Sequence, residues 1–238
     1  MYFPFKPYEC QNNYMAKVIT ALKNSENALL ESPTGTGKTL SLLCATLAWL
    51  KAEREKYRSG KIDGELPKII YCSRTHSQLA QVQKELANTA FEPRTVLIAS
   101  RDHLCVNQSI NMNKGFALNA ACRNAQKGLS PCIFYKNRDK GKTQMPWKAM
   151  DIEELHKLAQ REQYCPYFAN KDRAAAADLV FMPYNYLIDE KIQENFEIEY
   201  ANSIIIFDEA HNVAPTAEDV SSFELKAKYL EQSLTEIH

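Results

Sequence analysis

The stretch Leu29-Leu30-Glu31-Ser32-Pro33-Thr34-Gly35-Thr36-Gly37-Lys38-Thr39-Leu40 constrains this chain more than any other. A short apolar run, Ala28-Leu29-Leu30, breaks into a glycine-rich turn. A helical pattern then begins at Lys38 and runs to about Lys51. Strand, turn and helix N-terminus in that order point several backbone N–H groups at one place, which makes an anion site. Ser32-x-x-x-x-Gly37-Lys38-Thr39 has the P-loop spacing, with Ser where the first glycine usually stands. The expected phosphate cradle is therefore Ser32, Pro33, Thr34, Gly35, Thr36, Gly37, Lys38 and Thr39. Lys38 reaches the β- and γ-phosphates, and the Thr39 hydroxyl joins the coordination of Mg²⁺.

A second motif completes the chemistry. Ser203-Ile204-Ile205-Ile206-Phe207 reads as a buried strand that ends in Asp208-Glu209-Ala210-His211. This places Asp208 at the nucleotide's metal and makes Glu209 the residue that orients and deprotonates the attacking water. Lys38, Asp208 and Glu209 are the expected catalytic set. Together the motifs specify binding and hydrolysis of ATP or another nucleoside triphosphate with Mg²⁺.

Between these motifs the pattern alternates. A helix is expected over Asn13–Leu22, strands over Lys68–Cys72, Arg94–Ala99 and Asp178–Met182, and a helix over Gln78–Ala87. Glu53–Leu66 reads as an exposed connection. Strands alternating with helices mean parallel βαβ units, so the fold class is α/β, a P-loop (RecA-like) parallel sheet domain. The alternation stops between about Arg101 and Ala175, where four of seven cysteines and a dense basic segment lie. The expected organisation is a motor domain over 1–101 and 176–220, a small insertion over 102–175, and the start of a helical insertion over 221–238.

Composition narrows the setting. The formal charge is zero, so contact with nucleic acid must come from local patches. No signal peptide or membrane span is legible, and seven cysteines without an export signal argue for free thiols or a metal site over disulfides. Cys105, Cys122, Cys132 and Cys165 are separated by 16, 9 and 32 residues. None of these is a zinc-finger or ferredoxin spacing, so spacing alone leaves unconnected thiols and a metal cluster both open. Cys44 and Cys72 read as small buried hydrophobes. From Arg123 to Lys148, cations interleave with Phe134, Tyr135 and Trp147, which suits either single-stranded nucleic acid or a solvated basic loop.

The combination resembles the superfamily 2 DNA helicases with an iron–sulfur cluster, the xeroderma pigmentosum group D-like group, and within it the telomere-related members. The resemblance rests on Phe3–Gln11, Glu31–Thr39, Ser73–Leu79, Ser100–Cys105, Cys165–Tyr167, Met182–Leu187 and the Asp208–His211 box. It implies that Gln11 recognises adenine and that Cys105, Cys122, Cys132 and Cys165 ligate a [4Fe–4S] cluster. By the same resemblance, Arg74, Thr75 and His76 face single-stranded DNA. It also implies 5′-to-3′ unwinding of single-stranded and junction DNA in the nucleus, in repair, recombination control and telomere maintenance, with replication, repair or telomere proteins as partners and no membrane.

Helicases of this group have a second sheet domain that supplies arginines to the transferring phosphoryl group, and no such motif precedes His238. The chain by itself is therefore expected to bind nucleotide weakly and to unwind nothing. Two readings from other classes are a non-catalytic iron–sulfur module that binds single-stranded DNA and a P-loop phosphotransferase. The second lacks a further substrate motif.

Overall fold

The computed structural model describes residues 3–128, 131–194, 196, 198, 200–223, 227 and 234–235. Helix α1 (Glu9–Asn24) precedes the glycine turn, and α2 (Lys38–Arg58) follows it. Strand β1 (Lys68–Ser73), helix α3 (His76–Ala87) and strand β2 (Thr95–Leu97) come next. Seven helices then intervene: α4 (Arg101–Leu104), α5 (Gln108–Asn111), α6 (Gly115–Lys127), α7 (Ile133–Lys136), α8 (Arg138–Gln144), α9 (Ile152–Glu162) and α10 (Pro166–Arg173). Strand β3 (Leu179–Pro183), short helices α11 (Asn185–Ile188) and α12 (Glu190–Gln193), strand β4 (Ser203–Phe207) and α13 (Val213–Ser221) complete the described elements. Of the expected 221–238 segment, most lies outside the described residues.

The four strands form one parallel sheet in the order β2-β3-β1-β4. Its centre is apolar because β1 and β3 are covered on both faces: Ile69, Ile70, Tyr71, Leu179, Val180 and Phe181 are all fully buried. Local signals start several helices. Thr75 and Gln78 form a capping box at α3, Asp151 and Glu154 another at α9, and Pro166 opens α10.

One expected strand is absent from the sheet. Ala28-Leu29-Leu30 belongs to no strand, and Leu29 is 93% exposed. Three apolar residues held between Asn27 and Pro33 offer few ladder bonds. Leu30 packs instead on the small core of Met15, Val18, Leu40 and Cys44 between α1 and α2. Accordingly β4 lies at the sheet edge, with Ile205 and Phe207 partly exposed. Helix α2 also runs seven residues past Lys51, so the charged connection begins only after Arg58.

The residues between β2 and β3 contain no strand among those described, and they share a core with the sheet. Met145, Met150, Leu155, Ala159, Tyr164, Tyr167 and Ala169 belong to the same buried cluster as β1, β2 and β3. Gly141 lets α8 pack at this seam. A Cβ there would sit 2.4 Å from Tyr164 Cδ2 and 2.8 Å from Ala169 Cβ. Gly141→Ala is therefore expected to lower stability by about 1–3 kcal/mol through overpacking, despite alanine's better helix propensity. Urea denaturation with an unchanged midpoint would refute this.

Candidate functional site

The glycine turn is built by backbone geometry. Gly35 and Gly37 have φ of +78° and +70°, the left-handed region that side chains disfavour. The loop is closed internally. Thr36 Oγ1 donates to the Pro33 carbonyl at 2.8 Å and lies 2.7 Å from Ser32 Oγ. Lys38 Nζ donates to the carbonyls of Ser32 (3.0 Å) and Pro33 (3.3 Å), folded back over the turn. Gln11 is buried against the loop: Nε2 donates to the Thr36 carbonyl at 3.1 Å, and Oε1 accepts from Tyr8 N at 2.9 Å.

The sheet delivers the acid pair to the same place. Asp208 N bonds the Cys72 carbonyl, extending the β1–β4 ladder by one step, and the Asp208 carbonyl accepts from the Tyr184 hydroxyl. Thr39, Asp208 and Glu209 line one cleft of about 270 Å³ with Gln78, Gln81, Val82, His211 and Asn212. Burial raises the Asp208 carboxyl above its ordinary range, and neighbouring Glu209 adds to this. Tyr71 and the Lys38 charge work against it, so Lys38 lies within electrostatic reach. A carboxylate held up by burial and a like charge is a group that a cation would relieve.

Glu209 itself adopts φ 54° and ψ 49°, an uncommon conformation for a glutamate. Asn212 holds it there, donating to the Glu209 carbonyl through both its backbone N and its Nδ2, each at 3.1 Å. Asn212 Oδ1 accepts from Arg74 Nη1 at 3.3 Å, which joins the acid loop to the segment after β1. Sequence reasoning passed over Asn212, whose only signal was its place directly after the Asp208–His211 box. Tyr71 was also missed. Its fully buried phenol lies beside Asp208, and burial followed by that charge raises it well above its usual range.

The residues expected at DNA, Arg74, Thr75 and His76, sit together between β1 and α3 but differ in burial and contacts. Arg74 is exposed. Thr75 caps α3, its hydroxyl accepting from Gln78 N. His76 packs edge-on against His103, with ring centroids 4.6 Å apart. Burial, then the His103 charge, lowers His76 to about 4, so it is neutral near pH 7 and brings no cation to a phosphate. The aromatic rings of the basic segment each contact another side chain of the protein, though Trp147 stays 36% exposed. Trp147 stacks under Arg173 at 3.7 Å, Tyr135 meets Phe168 edge-on and carries Arg138, and Phe134 packs on the core. The exposed large apolar groups of the insertion, among the described residues, are Met112 (85%), Phe116 (94%), Ile133 (48%) and Trp147 (36%).

The four insertion cysteines come from four different helices. Cys105 closes α4, Cys122 lies within α6, and Cys132 and Cys165 precede α7 and α10. All are free and partly buried, and they share one neighbourhood. Cys105 feels the charges of Cys122 and Cys132, and Cys165 those of Cys105 and Cys122. Burial pushes Cys165 up to about 12, partly offset by the N–H groups of Phe168 and Tyr167. Asn107 Nδ2 donates to Cys132 Sγ at 3.2 Å and Gln126 Nε2 to Cys122 Sγ at 3.5 Å. Among the described residues, no three His, Cys, Asp or Glu side chains are grouped as ligands of one metal ion. Cys44 and Cys72 are buried, and Cys10 is exposed.

A glycine turn of P-loop spacing and an acid pair at the end of a parallel sheet define a P-loop type of α/β domain. The chain belongs to the DEAD_2 family, which matches residues 71–230. It is similar to regulator of telomere elongation helicase 1 of Mus musculus, 38% identical over 94% of this chain and 21% of that protein. Homologs of that helicase from Anopheles gambiae (40% identical; 94% of this chain, 26% of that protein) and Drosophila virilis (37%; 100% and 27%) are also similar. The chain thus spans about a quarter or less of the length of these relatives. Among solved structures, an XPD helicase matches with TM-score 0.64 at 21% identity, covering 90% of this chain and 34% of that one. A truncated XPD matches at 0.58 and 21%, over 86% and 53%. At that identity these show a shared fold.

Proposed function

We propose that this chain is the ATP-binding and DNA-binding first motor domain of an iron–sulfur, 5′-to-3′ DNA helicase acting in the nucleus in repair, recombination control and telomere maintenance. The observation that carries the reading is the shared cleft of Thr39, Asp208 and Glu209, with Lys38 in electrostatic reach. With MgATP bound, Lys38 Nζ would leave the Ser32 and Pro33 carbonyls for phosphate oxygens, Thr39 and Asp208 would hold the Mg²⁺, and Glu209 would orient water for attack on the γ-phosphate. Gln11 supports the loop through Thr36 and offers its amide to adenine. Arg74, beside Thr75 and His76, supplies the surface charge of the DNA-facing segment.

Cys105, Cys122, Cys132 and Cys165 would hold the [4Fe–4S] cluster. Four free thiols that share one neighbourhood are the donor type such a cluster takes. N–H donors at two of the sulfurs suit a cluster as well. The cluster would tie α4, α6, α7 and α10 together.

The test is titration of a fluorescent ATP analogue and a labelled single-stranded oligonucleotide, each with and without the other. Binding of both, with reciprocal coupling, supports the motor reading. Salt-sensitive DNA binding that ignores nucleotide would replace it with a non-catalytic binding module. For the cluster, anaerobically purified chain is expected to be brown, and Cys165→Ser to lose most of that visible absorption. Colourless protein that contains zinc would refute the assignment.

A further inference from the structure

Where α3 and β2 meet the insertion, the structure leaves a small, partly open pocket of about 10 Å³, the room one water needs. Gln83, Thr95 and Asn170 line it together with Leu97, Met145 and Met150, and the exposed Lys148 stands at its rim. Gln83 Oε1, Thr95 Oγ1 and Asn170 Oδ1 are all buried and have no protein partner. The orientation of both amides is settled by their other ends. Gln83 Nε2 donates to the Met150 carbonyl at 3.1 Å, and Asn170 Nδ2 donates to the Leu97 carbonyl at 2.9 Å. Flipping either amide would break that bond and oppose two carbonyl oxygens, so both oxygens are acceptors here.

We infer that one buried water is a permanent ligand of this site, bound at the joint between the cysteine-bearing insertion and the motor sheet. Its two protons go to Gln83 Oε1 and Asn170 Oδ1, and its oxygen accepts from Thr95 Oγ1–H. Three bonds is the usual complement of a buried water, and this one leaves no orphan among the three side chains. The three partners come from three elements: α3, which follows the Arg74–His76 segment; β2, at the sheet edge; and α10, which Cys165 precedes. The water therefore acts as a strut, because sliding α10 along β2 would break bonds on both sides of the joint. This goes beyond the helicase reading and does not depend on it.

A crystal structure of the wild-type chain at a resolution that shows waters is the direct test. One ordered water within hydrogen-bond distance of all three oxygens is expected. A void there, or side chains rearranged to bond each other, would overturn the inference. Thr95→Val keeps the shape and removes the donor, whereas Thr95→Ser keeps the donor. Thr95→Val should melt several degrees lower and be cut faster by protease within residues 102–175, with Thr95→Ser nearer wild type on both measures. Equal melting and cleavage for the valine and serine variants would count against a bound water.

Discussion

Lys38→Ala is expected to weaken binding of MgATP by about 10- to 150-fold, the equivalent of about 1.5–3 kcal/mol for hydrogen bonds to a charged group. The fold should survive, because Lys38 is the first residue of α2 and alanine is the best helix former. The lysine's present bonds are to the carbonyls of Ser32 and Pro33 within its own loop, so its loss leaves no buried group stranded. Titration of a fluorescent nucleotide, with a thermal melt as control, reads the two effects separately. A variant that binds MgATP as tightly as wild type would remove the basis of the nucleotide site. One that melts far below wild type would show that the lysine's role is structural.

The largest stability loss is expected at Asp178, a residue that carried no signal in the sequence beyond opening a strand. Its carboxylate is 5% exposed and accepts from Arg54 Nη2 at 2.7 Å, Arg94 Nη2 at 2.8 Å and Arg94 backbone N at 2.9 Å. One side chain thus ties the second half of α2 to the starts of β2 and β3. Removing one partner of a buried ion pair costs about 3–5 kcal/mol. The arginines here are 28% and 50% exposed, so water recovers part of that and Asp178→Ala should lose about 3 kcal/mol. For a domain of this size that is a melting point about 6–12 °C lower.

The pH dependence follows from the same contacts. Burial pushes the Asp178 carboxyl up, but the Arg94 hydrogen bonds and the charges of Arg54 and Arg94 outweigh it, leaving the group below its ordinary 3.8. A carboxyl depressed on folding contributes stability that is complete above its unfolded value and fades as pH falls through its lower folded value. The difference between wild type and Asp178→Ala should therefore be constant near neutrality and shrink below about pH 4. A difference that held constant into strong acid would contradict the ion-pair account.

How much was legible depended on how local the physics was. The P-loop turn, the strands over residues 68–72, 178–182 and 203–207, and the start of α2 are written in neighbouring residues, through glycine conformation and apolar runs, whereas α3 begins at His76, two residues before the expected Gln78, because Thr75 caps it. The pairing of Thr39 with Asp208 was inferable because the two motifs have meaning only together, though they lie far apart in the chain. Cys105, Cys122, Cys132 and Cys165 were not inferable as a group from spacing, since 16, 9 and 32 residues say nothing until four helices fold back on one another. The Ala28–Leu30 run looked like a strand but lies outside the sheet. The sequence left Trp147 and Tyr135 open as faces for bases; in the structure Trp147 carries Arg173 on one face and is still 36% exposed, and Tyr135 packs edge-on against Phe168.

The sequence by itself determined the groups offered here: a glycine turn of P-loop spacing, an aspartate with a glutamate beside it at a strand end, four free thiols and an α/β alternation. Tertiary structure alone decided the strand order β2-β3-β1-β4, which packs β1 between β3 and the strand that carries Asp208. It also decided the salt bridges at Asp178, the Asn212 clamp on Glu209 and the polar joint of Gln83, Thr95 and Asn170. The reason is separation along the chain. Dihedral preferences and apolar periodicity act over a few residues and are readable in order, whereas contacts between distant elements exist only once burial has chosen which faces meet.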